Sequence, residues 1–508
     1  MQFTEIGFAI FFVAVFALYW FVLRRRTAAQ NVLLLAASYL FYGWWDWRFL
    51  GLIMLTTVTT YGSAFLARKP YGKAAVTANI ALNLGILALF KYLGFFTENL
   101  QRLIAAFGWN IGWFTVDVLL PVGISFYTFQ AIAYSVDVYK GRVEACRDPL
   151  AFATFIAYFP QLVAGPIERA SSLLPQIERP RRWDYAQAVD GCRMVLFGLM
   201  KKVCVADMLA IYADRLYADI SSPAVCVAAG LLFTLEIYFD FSAYSEIARG
   251  TSRMLGIELM ANFRFPYFSR NVAEFWQRWH ISLMNWFRDY LYIPLGGNRQ
   301  GRRRTIFNAM TIFALSGLWH GAAWNFIAWG VYWGVVYVVA KQMFGQRMSK
   351  TPIRYASLPA MMATFAFVTF GFYLFRCGTG TQMLTGFSYL WAYALTFGVL
   401  VVAAIVLVKV VRLLQGRRIV RRLILALCAL CAAGALAVNP ALWVEVLKLW
   451  WAVPMLLVVA IEWRCRNSDH PMAMVPRRRW ARLGLYWACL VCIVLSEPTE
   501  MSFIYFQF

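Results

Sequence analysis

The sequence predicts an all-α, polytopic membrane protein, and three observations carry that expectation. Of its 508 residues, 61% are hydrophobic and only 14% are charged, with a mean hydropathy of +0.60. A soluble chain carries closer to about a quarter charged. The apolar residues come in runs, many long enough to span a bilayer as helices. The basic residues behind the net charge of +23 sit in short clusters between those runs. The positive-inside rule places them there, so the charge does not call for nucleic acid as a partner.

Taken in order, residues 6–23 are apolar and are followed by Arg24, Arg25 and Arg26. A secretory signal carries its charge before the apolar core and a small-residue cleavage site after it. Here the order is reversed, so the run is expected to be a retained helix with the N-terminus outside. Residues 31–42 and 49–66 form a pair that turns at Trp44, Trp45, Asp46, Trp47 and Arg48. Arg68, Lys69 and Lys73 then mark the cytoplasm. Residues 76–92 go out, and 118–139 come back to Lys140 and Arg142. Residues 152–164 are short for a span and end in Gly165-Pro166, which reads as a re-entrant or interfacial segment.

Arg179, Arg181 and Arg182 are again cytoplasmic, and 195–209 and 225–255 cross next. Glu236, Asp240 and Glu246 lie in the second of these. Three acids in one apolar helix are costly unless they pair with a base or face a cavity. Lys201, Lys202 and Arg249 are the available bases, and an aqueous passage is the other reading.

Residues 271–291 are expected to form one helix. At about 100° per residue, Asn271, Glu274, Arg278, Ser282, Asn285 and Asp289 fall on one polar stripe. Trp276, Trp279, Leu283, Trp286, Phe287 and Tyr290 cover the other side, an aromatic face suited to a membrane interface. His280 lies about 200° from Arg278, off the stripe and towards Trp276 and Phe287. It is either a buried histidine with both ring nitrogens satisfied or a functional group. Pro294, Gly296 and Gly297 end the helix, and Arg299, Arg302, Arg303 and Arg304 place that end in the cytoplasm. Residues 306–318 then enter the membrane and deliver His320 between Gly317 and Gly321. Small residues there allow close approach of backbone or substrate, and an ionisable residue at that depth is a functional candidate.

About six further runs follow, with basic pairs at Arg417–Arg418, Arg421–Arg422 and near Arg479 as cytoplasmic turns. The expected total is about 14 crossings, with both termini outside. His470, in a polar segment, reads as a cytoplasmic loop residue without a catalytic part. The ten cysteines lie mostly in apolar runs, Cys428 and Cys431 among them, with no histidine at metal-ligand spacing. They read as small buried hydrophobes, so no metal and no disulfide is expected. No transporter-type repeat is visible.

Five stretches carry a resemblance. They are PVGISFYTFQAIAYSVDVYKG from Pro121, YFPQLVAGPIER from Tyr158, EIYFDFSAYSEIARG from Glu236, FWQRWHISLMNWFRDYLYIPLGG from Phe275 and LSGLWHGAAWNF from Leu315. Together they resemble the membrane-bound O-acyltransferase (MBOAT) superfamily, in its bacterial alginate O-acetyltransferase AlgI-like branch. The resemblance implies a ring of helices, some re-entrant or interfacial, around a central catalytic passage. It implies one domain over 1–508, with 1–376 as the core and 377–508 as additional transmembrane helices and a tail. The family's invariant histidine maps to His320 and its second position to His280.

The implied activity moves acetyl groups from cytoplasmic acetyl-CoA, with no permanently bound cofactor, for O-acetylation of a secreted polysaccharide. Alginate, bacterial cellulose or peptidoglycan would be the polymer. The implied setting is the bacterial inner membrane, among its lipids, with a periplasmic SGNH-like transferase as partner. General-base catalysis falls to His320 and a polarising or relay role to His280. Asn285 and Asn325 are candidates to hold an oxyanion. Arg299, Arg302, Arg303 and Arg304 either attract the donor phosphates or simply form a positive-inside loop. The terminal Phe503-Ile504-Tyr505-Phe506 resembles a motif proposed to accept the acyl group on tyrosine, here Tyr505; interfacial anchoring is the alternative. Two other readings stay open: D-alanyl transfer to teichoic acid, and a transporter without chemistry that uses Glu236, Asp240 and Glu246.

Overall fold

Apolar runs punctuated by Gly, Pro and basic residues fold here into helices, with no strand among the described residues. The computed structural model describes residues 1–109, 119–163, 165–344, 351–413, 452–473, 476, 478–496 and 503–504. The first helices are α1 (Ile6–Ala17), α2 (Thr27–Asp46), α3 (Leu50–Leu66), α4 (Gly72–Ala106) and α5 (Ile124–Tyr139). Two short helices, α6 (Pro149–Ala157) and α7 (Phe159–Leu162), and then α8 (Ala170–Glu178) lead to α9 (Tyr185–Lys201) and α10 (Asp207–Ala218). The long α11 (Pro223–Met254) is followed by α12 (Val272–Arg278), α13 (Ile281–Phe287), α14 (Gly301–His320) and α15 (Trp324–Phe344). The rest is α16 (Leu358–Arg376), α17 (Gly380–Ser388), α18 (Leu390–Leu413), α19 (Ala452–Cys465) and α20 (Arg479–Leu495).

Five segments among the described residues are long and apolar enough to cross a membrane: Thr27–Leu66, Gly72–Ala106, Pro223–Met254, Tyr355–Arg376 and Leu390–Leu413. That is fewer than the crossings expected from hydropathy. Thr27–Leu66 joins the two runs expected at 31–42 and 49–66, Ile6–Val22 is shorter than a full span, and residues 414–451 lie outside the described residues. The apolar sequence at 149–162 and 271–291 makes short helices packed inside the protein. In the first, the chain bends at Tyr158 (φ −52°, ψ 107°) and restarts as α7 with Pro160 in its first turn, where a missing N–H does no harm. The second is a correction. Residues 271–291 are not one helix, because the chain breaks at Trp279 and His280 and resumes as α13. The polar stripe does not face solvent either. Asn271 caps α12, Glu274 and Ser282 are buried, and Asp289 pairs with Arg169.

The core is built on α11, which packs against α9, α10 and α16. Its crossing with α9 is as close as backbones allow: a Cβ on Gly191 would lie 2.5 Å from the Gly250 carbonyl oxygen. The acids of α11 are largely paired. Lys201 Nζ lies 2.9 Å from Glu246 and 2.6 Å from Glu462, and Lys202 Nζ lies 2.7 Å from Asp207 and 2.8 Å from Asp240. Of the two readings of these acids, structural pairing therefore holds for Asp240 and Glu246. Glu236 forms no ion pair among the described residues.

The helix that delivers His320 is set by a second close crossing. A Cβ on Gly317 would lie 2.2 Å from the Phe326 carbonyl oxygen, and one on Gly330 would lie 2.4 Å from that of Phe313. The small residues beside His320 thus serve backbone approach between α14 and α15. Even Gly317→Ala must push these helices apart. It should cost about 1–3 kcal/mol, read as a lowered midpoint of thermal unfolding in detergent; an unchanged midpoint would contradict the close crossing.

Candidate functional site: a buried histidine pair

His280 is placed by a break that the sequence stripe did not reveal. It occupies the left-handed region (φ 42°, ψ 54°) at the start of α13, a conformation that costs a non-glycine residue about 1–3 kcal/mol. Asn262 stitches the break. Its carbonyl accepts the Ile281 N–H at 2.9 Å. Its side-chain Oδ1 accepts the Ser282 hydroxyl at 2.9 Å and the Ser282 N–H at 3.3 Å, and lies 3.1 Å from His280 Nδ1. With Oδ1 accepting, Nδ1 carries the proton and Nε2 the lone pair. Asn262, at the head of the aromatic stretch, is a site residue that the sequence reading passed over.

His320 is the last residue of α14 and is buried at 5% exposure. Its ring centroid lies 6.5 Å from that of His280. Trp329 and Phe375 stand edge-on to His320 at 5.1 and 5.3 Å, and Phe241 stands edge-on to His280 at 4.8 Å. The end of α14 is held by two adjacent residues of α4. Lys91 Nζ donates to the carbonyls of Trp319 and His320 at 2.7 and 2.9 Å, and the Tyr92 hydroxyl donates to that of Leu318 at 2.8 Å. A cleft of about 40 Å³ reaches His320 and is lined by Lys91, Trp319 and the chain from Leu120 to Phe126. A second cleft, lined by Ser242, Glu246, Arg249, Phe263 and Asp469, reaches Asn262.

The C-terminal tail approaches the same centre. Phe503 and Ile504 are buried. The Phe503 ring lies 4.1 Å from Tyr244 and 5.8 Å from Phe241, the residue packed on His280. The Ile504 N–H donates to Asp240 Oδ2 at 2.7 Å. Tyr505 itself lies outside the described residues.

Other predicted site residues are not brought to the histidines. Asn325 donates its amide to the Phe375 carbonyl at 2.6 Å, so it shapes the wall of the site. Asn285 is half-buried on α13. Arg299, Arg302, Arg303 and Arg304 are exposed, and the last three begin the helix whose far end carries His320. His470 lies 2.9 Å from Asp190. Lys91 was also missed. A single lysine closing an apolar run is the signal that marks it.

Comparison with known proteins gives a family and named relatives. The model of the MBOAT, membrane-bound O-acyltransferase family, matches residues 147–381. A probable alginate O-acetylase AlgI of Pseudomonas putida is 38% identical over 385 residues, covering 74% of this chain and 77% of that protein. A peptidoglycan O-acetyltransferase of Helicobacter pylori is 32% identical, covering 73% and 76%. A teichoic acid D-alanyltransferase of Bacillus subtilis is 28% identical, covering 50% and 68%.

The helix before His280 rests on Glu274, whose buried carboxylate accepts from Arg270 Nε and Nη2 at 2.9 and 3.0 Å and from Arg278 Nη2 at 2.9 Å. Burial pushes this carboxyl up. The two guanidiniums more than reverse that and hold it below its ordinary value of 4.5. Its stabilisation is therefore complete above pH 4.5 and is lost as pH falls through the lowered folded value. The difference in unfolding midpoint between the wild type and Glu274→Gln should shrink on acidification below pH 4.5. A constant difference would show that the carboxylate is not held this way.

Proposed function

We propose, from the premise that this chain belongs to the membrane-bound O-acyltransferase family, that it moves acetyl groups from cytoplasmic acetyl-CoA for O-acetylation of a secreted polysaccharide. The chain is a multi-pass membrane acyltransferase. The observation that carries the finer reading is a buried histidine pair with one cleft reaching His320 and a second reaching Asn262, the residue hydrogen-bonded to His280. By the positive-inside rule, Arg68, Lys69 and Lys73 put the start of α4 in the cytoplasm, and Arg302, Arg303 and Arg304 do the same for α14. Lys91 lies about 27 Å along α4 from Lys73 at 1.5 Å per residue, and His320 lies a similar distance along α14. The cleft at His320 therefore faces outward. The cleft at Asn262 is lined by Arg249 and Asp469, and Arg478 and Arg479, which follow Asp469 in sequence, argue by the same rule that it faces the donor side.

In this reading residues 1–508 act as one unit in a bacterial inner membrane, with both termini outside. His320 takes the proton of the attacking hydroxyl, and His280, fixed by Asn262, polarises the carbonyl or relays the proton. Tyr505 directly follows Ile504, which Asp240 tethers in the core. Its phenol, with an ordinary pKa of about 10, is a readier first acceptor than a sugar hydroxyl, and its ester can pass acetate on to a periplasmic SGNH-like partner. The Arg299–Arg304 cluster draws the anionic donor to the cytoplasmic face.

Alginate is the favoured polymer because relatives named for alginate match with higher identity than the one named for peptidoglycan; cellulose is a further candidate. D-alanyl transfer has less support, since relatives named for it match over half of this chain or less. A transporter has less still, because Lys202 and Lys201 hold Asp240 and Glu246 in ion pairs.

Incubating purified protein with acetyl-CoA and weighing it intact tests the reading. The wild type should gain the mass of an acetyl group, mapped to Tyr505, while His320→Ala stays folded and gains none. An adduct that persists in Tyr505→Phe would discard the tyrosine carrier and keep the enzyme. Acetylation by His320→Ala at the wild-type rate would remove the histidine from the chemistry.

A further inference from the structure

Lys91 is a basic residue in a place where a cation is costly. It sits well inside the 35-residue α4, a membrane-crossing helix. Its partners are neutral: two carbonyls that end α14, and the Trp319 ring, whose centroid is 5.8 Å from Nζ. No carboxylate lies within ion-pair distance of it among the described residues. Carbonyls at a helix C-terminus favour a positive charge but do not neutralise it. An ammonium has three N–H donors and the carbonyls take two. The residue also lines the cleft that reaches His320, so the third donor is available to what enters there.

A helix start lines the same cleft. Gly123, Ile124 and Ser125 line it, and they begin the 16-residue α5. First-turn amides of a helix, Ser125 N–H among them, lack intrahelical partners and carry the positive end of the dipole. Gly123 makes this approach possible. Its φ is +74°, and a Cβ there would meet the Leu162 carbonyl oxygen at 2.6 Å. A lysine, a helix start and a histidine thus line one small cavity that has no carboxylate in its lining among the described residues.

We propose that Lys91 is a catalytic residue that stabilises the oxyanion formed beside His320, with the Ser125 amide as second donor. The proposal rests on the acetyl-transfer reading. The acceptor oxygen bonds to the acetyl carbonyl carbon as His320 takes its proton. The carbonyl π pair moves onto oxygen, and Lys91 and Ser125 N–H receive that oxyanion. When it collapses, the C–S bond breaks and the thiolate leaves, recovering the proton from His320. The charge that Lys91 keeps unneutralised at rest is matched at that step, which is where preorganised donors act.

The test compares three variants by turnover of acetyl-CoA per folded molecule, with unfolding midpoints measured alongside. Lys91→Gln keeps donors for the two carbonyls and loses the charge. It should lower kcat about 10²–10³-fold with little change in the KM for acetyl-CoA. Lys91→Arg should recover at least about tenfold of that loss. Tyr92→Phe removes the bond to Leu318 at the same helix end and keeps the charge, so it should stay near wild-type kcat. Lys91→Gln at wild-type kcat would overturn the proposal. So would equal losses in Lys91→Gln and Tyr92→Phe, since that marks a merely structural cap. If Lys91→Gln does not fold, a folded Lys91→Arg as inactive as His320→Ala overturns it. A wild-type protein that turns over no acetyl-CoA fails the underlying reading instead, and the two failures are thereby distinct.

Discussion

A histidine at φ 42° in the middle of an aromatic, helix-forming stretch will not stay there unaided. Without compensation, the strain of the left-handed conformation favours continuing the helix through residue 280. Asn262 supplies the compensation. Its carbonyl takes the Ile281 amide, its Oδ1 takes the Ser282 amide and hydroxyl, and the same oxygen lies against His280 Nδ1. A further backbone bond, Arg264 N–H to the Arg278 carbonyl at 3.0 Å, extends the stitch. The same contacts that make the break tolerable also set the tautomer and direction of the ring. Local stability and the placing of a functional side chain are here one set of hydrogen bonds.

The rest of the core follows from the cost of charge in a low-dielectric interior. Two consecutive lysines, both buried, each meet two carboxylates from different helices. The π-turn that starts at Lys202 widens the helix there and helps neighbouring side chains reach α11 together. Asp240 then serves a second partner, the backbone of Ile504. The lysine that neutralises α11 therefore also determines how strongly α11 can hold the tail. This network lies behind Phe241, Tyr244 and Phe503, so it supports the histidine centre without touching it.

Much of this was legible in the sequence, for reasons that can be stated. Apolar runs and basic turns follow from the solvent on either side of each residue, which is why α3, α11 and α14 fall close to where composition puts them. The pairing of Asp240 and Glu246 was one of two readings available from cost alone. The break at 279–280 was not legible, because the aromatic and polar residues of 271–291 repeat with helical spacing on both sides of it. Nothing local in Trp279 or His280 signals a turn, and the partner that enforces it lies some way upstream in Asn262. The contact of Lys91 with the end of α14 was hidden in the same way. Its partners are backbone carbonyls of a helix more than two hundred residues later, and carbonyls carry no sequence signature.

The spacing of the two rings limits what the centre can hold. Reacting atoms in a near-attack arrangement are about 3–3.5 Å apart. Two rings whose centroids are 6.5 Å apart and whose planes are tilted by 58° cannot hold a sugar ring between them. Trp329, Phe375 and Phe241 close the sides, so a bulky substrate cannot be accommodated by side-chain adjustment alone. In the acetyl-transfer reading, the centre takes a thin acyl group and a single hydroxyl. A phenol at the end of a tethered chain meets that requirement more easily than a polymer does, and this gives a physical reason for a carrier between the buried histidines and a polysaccharide outside.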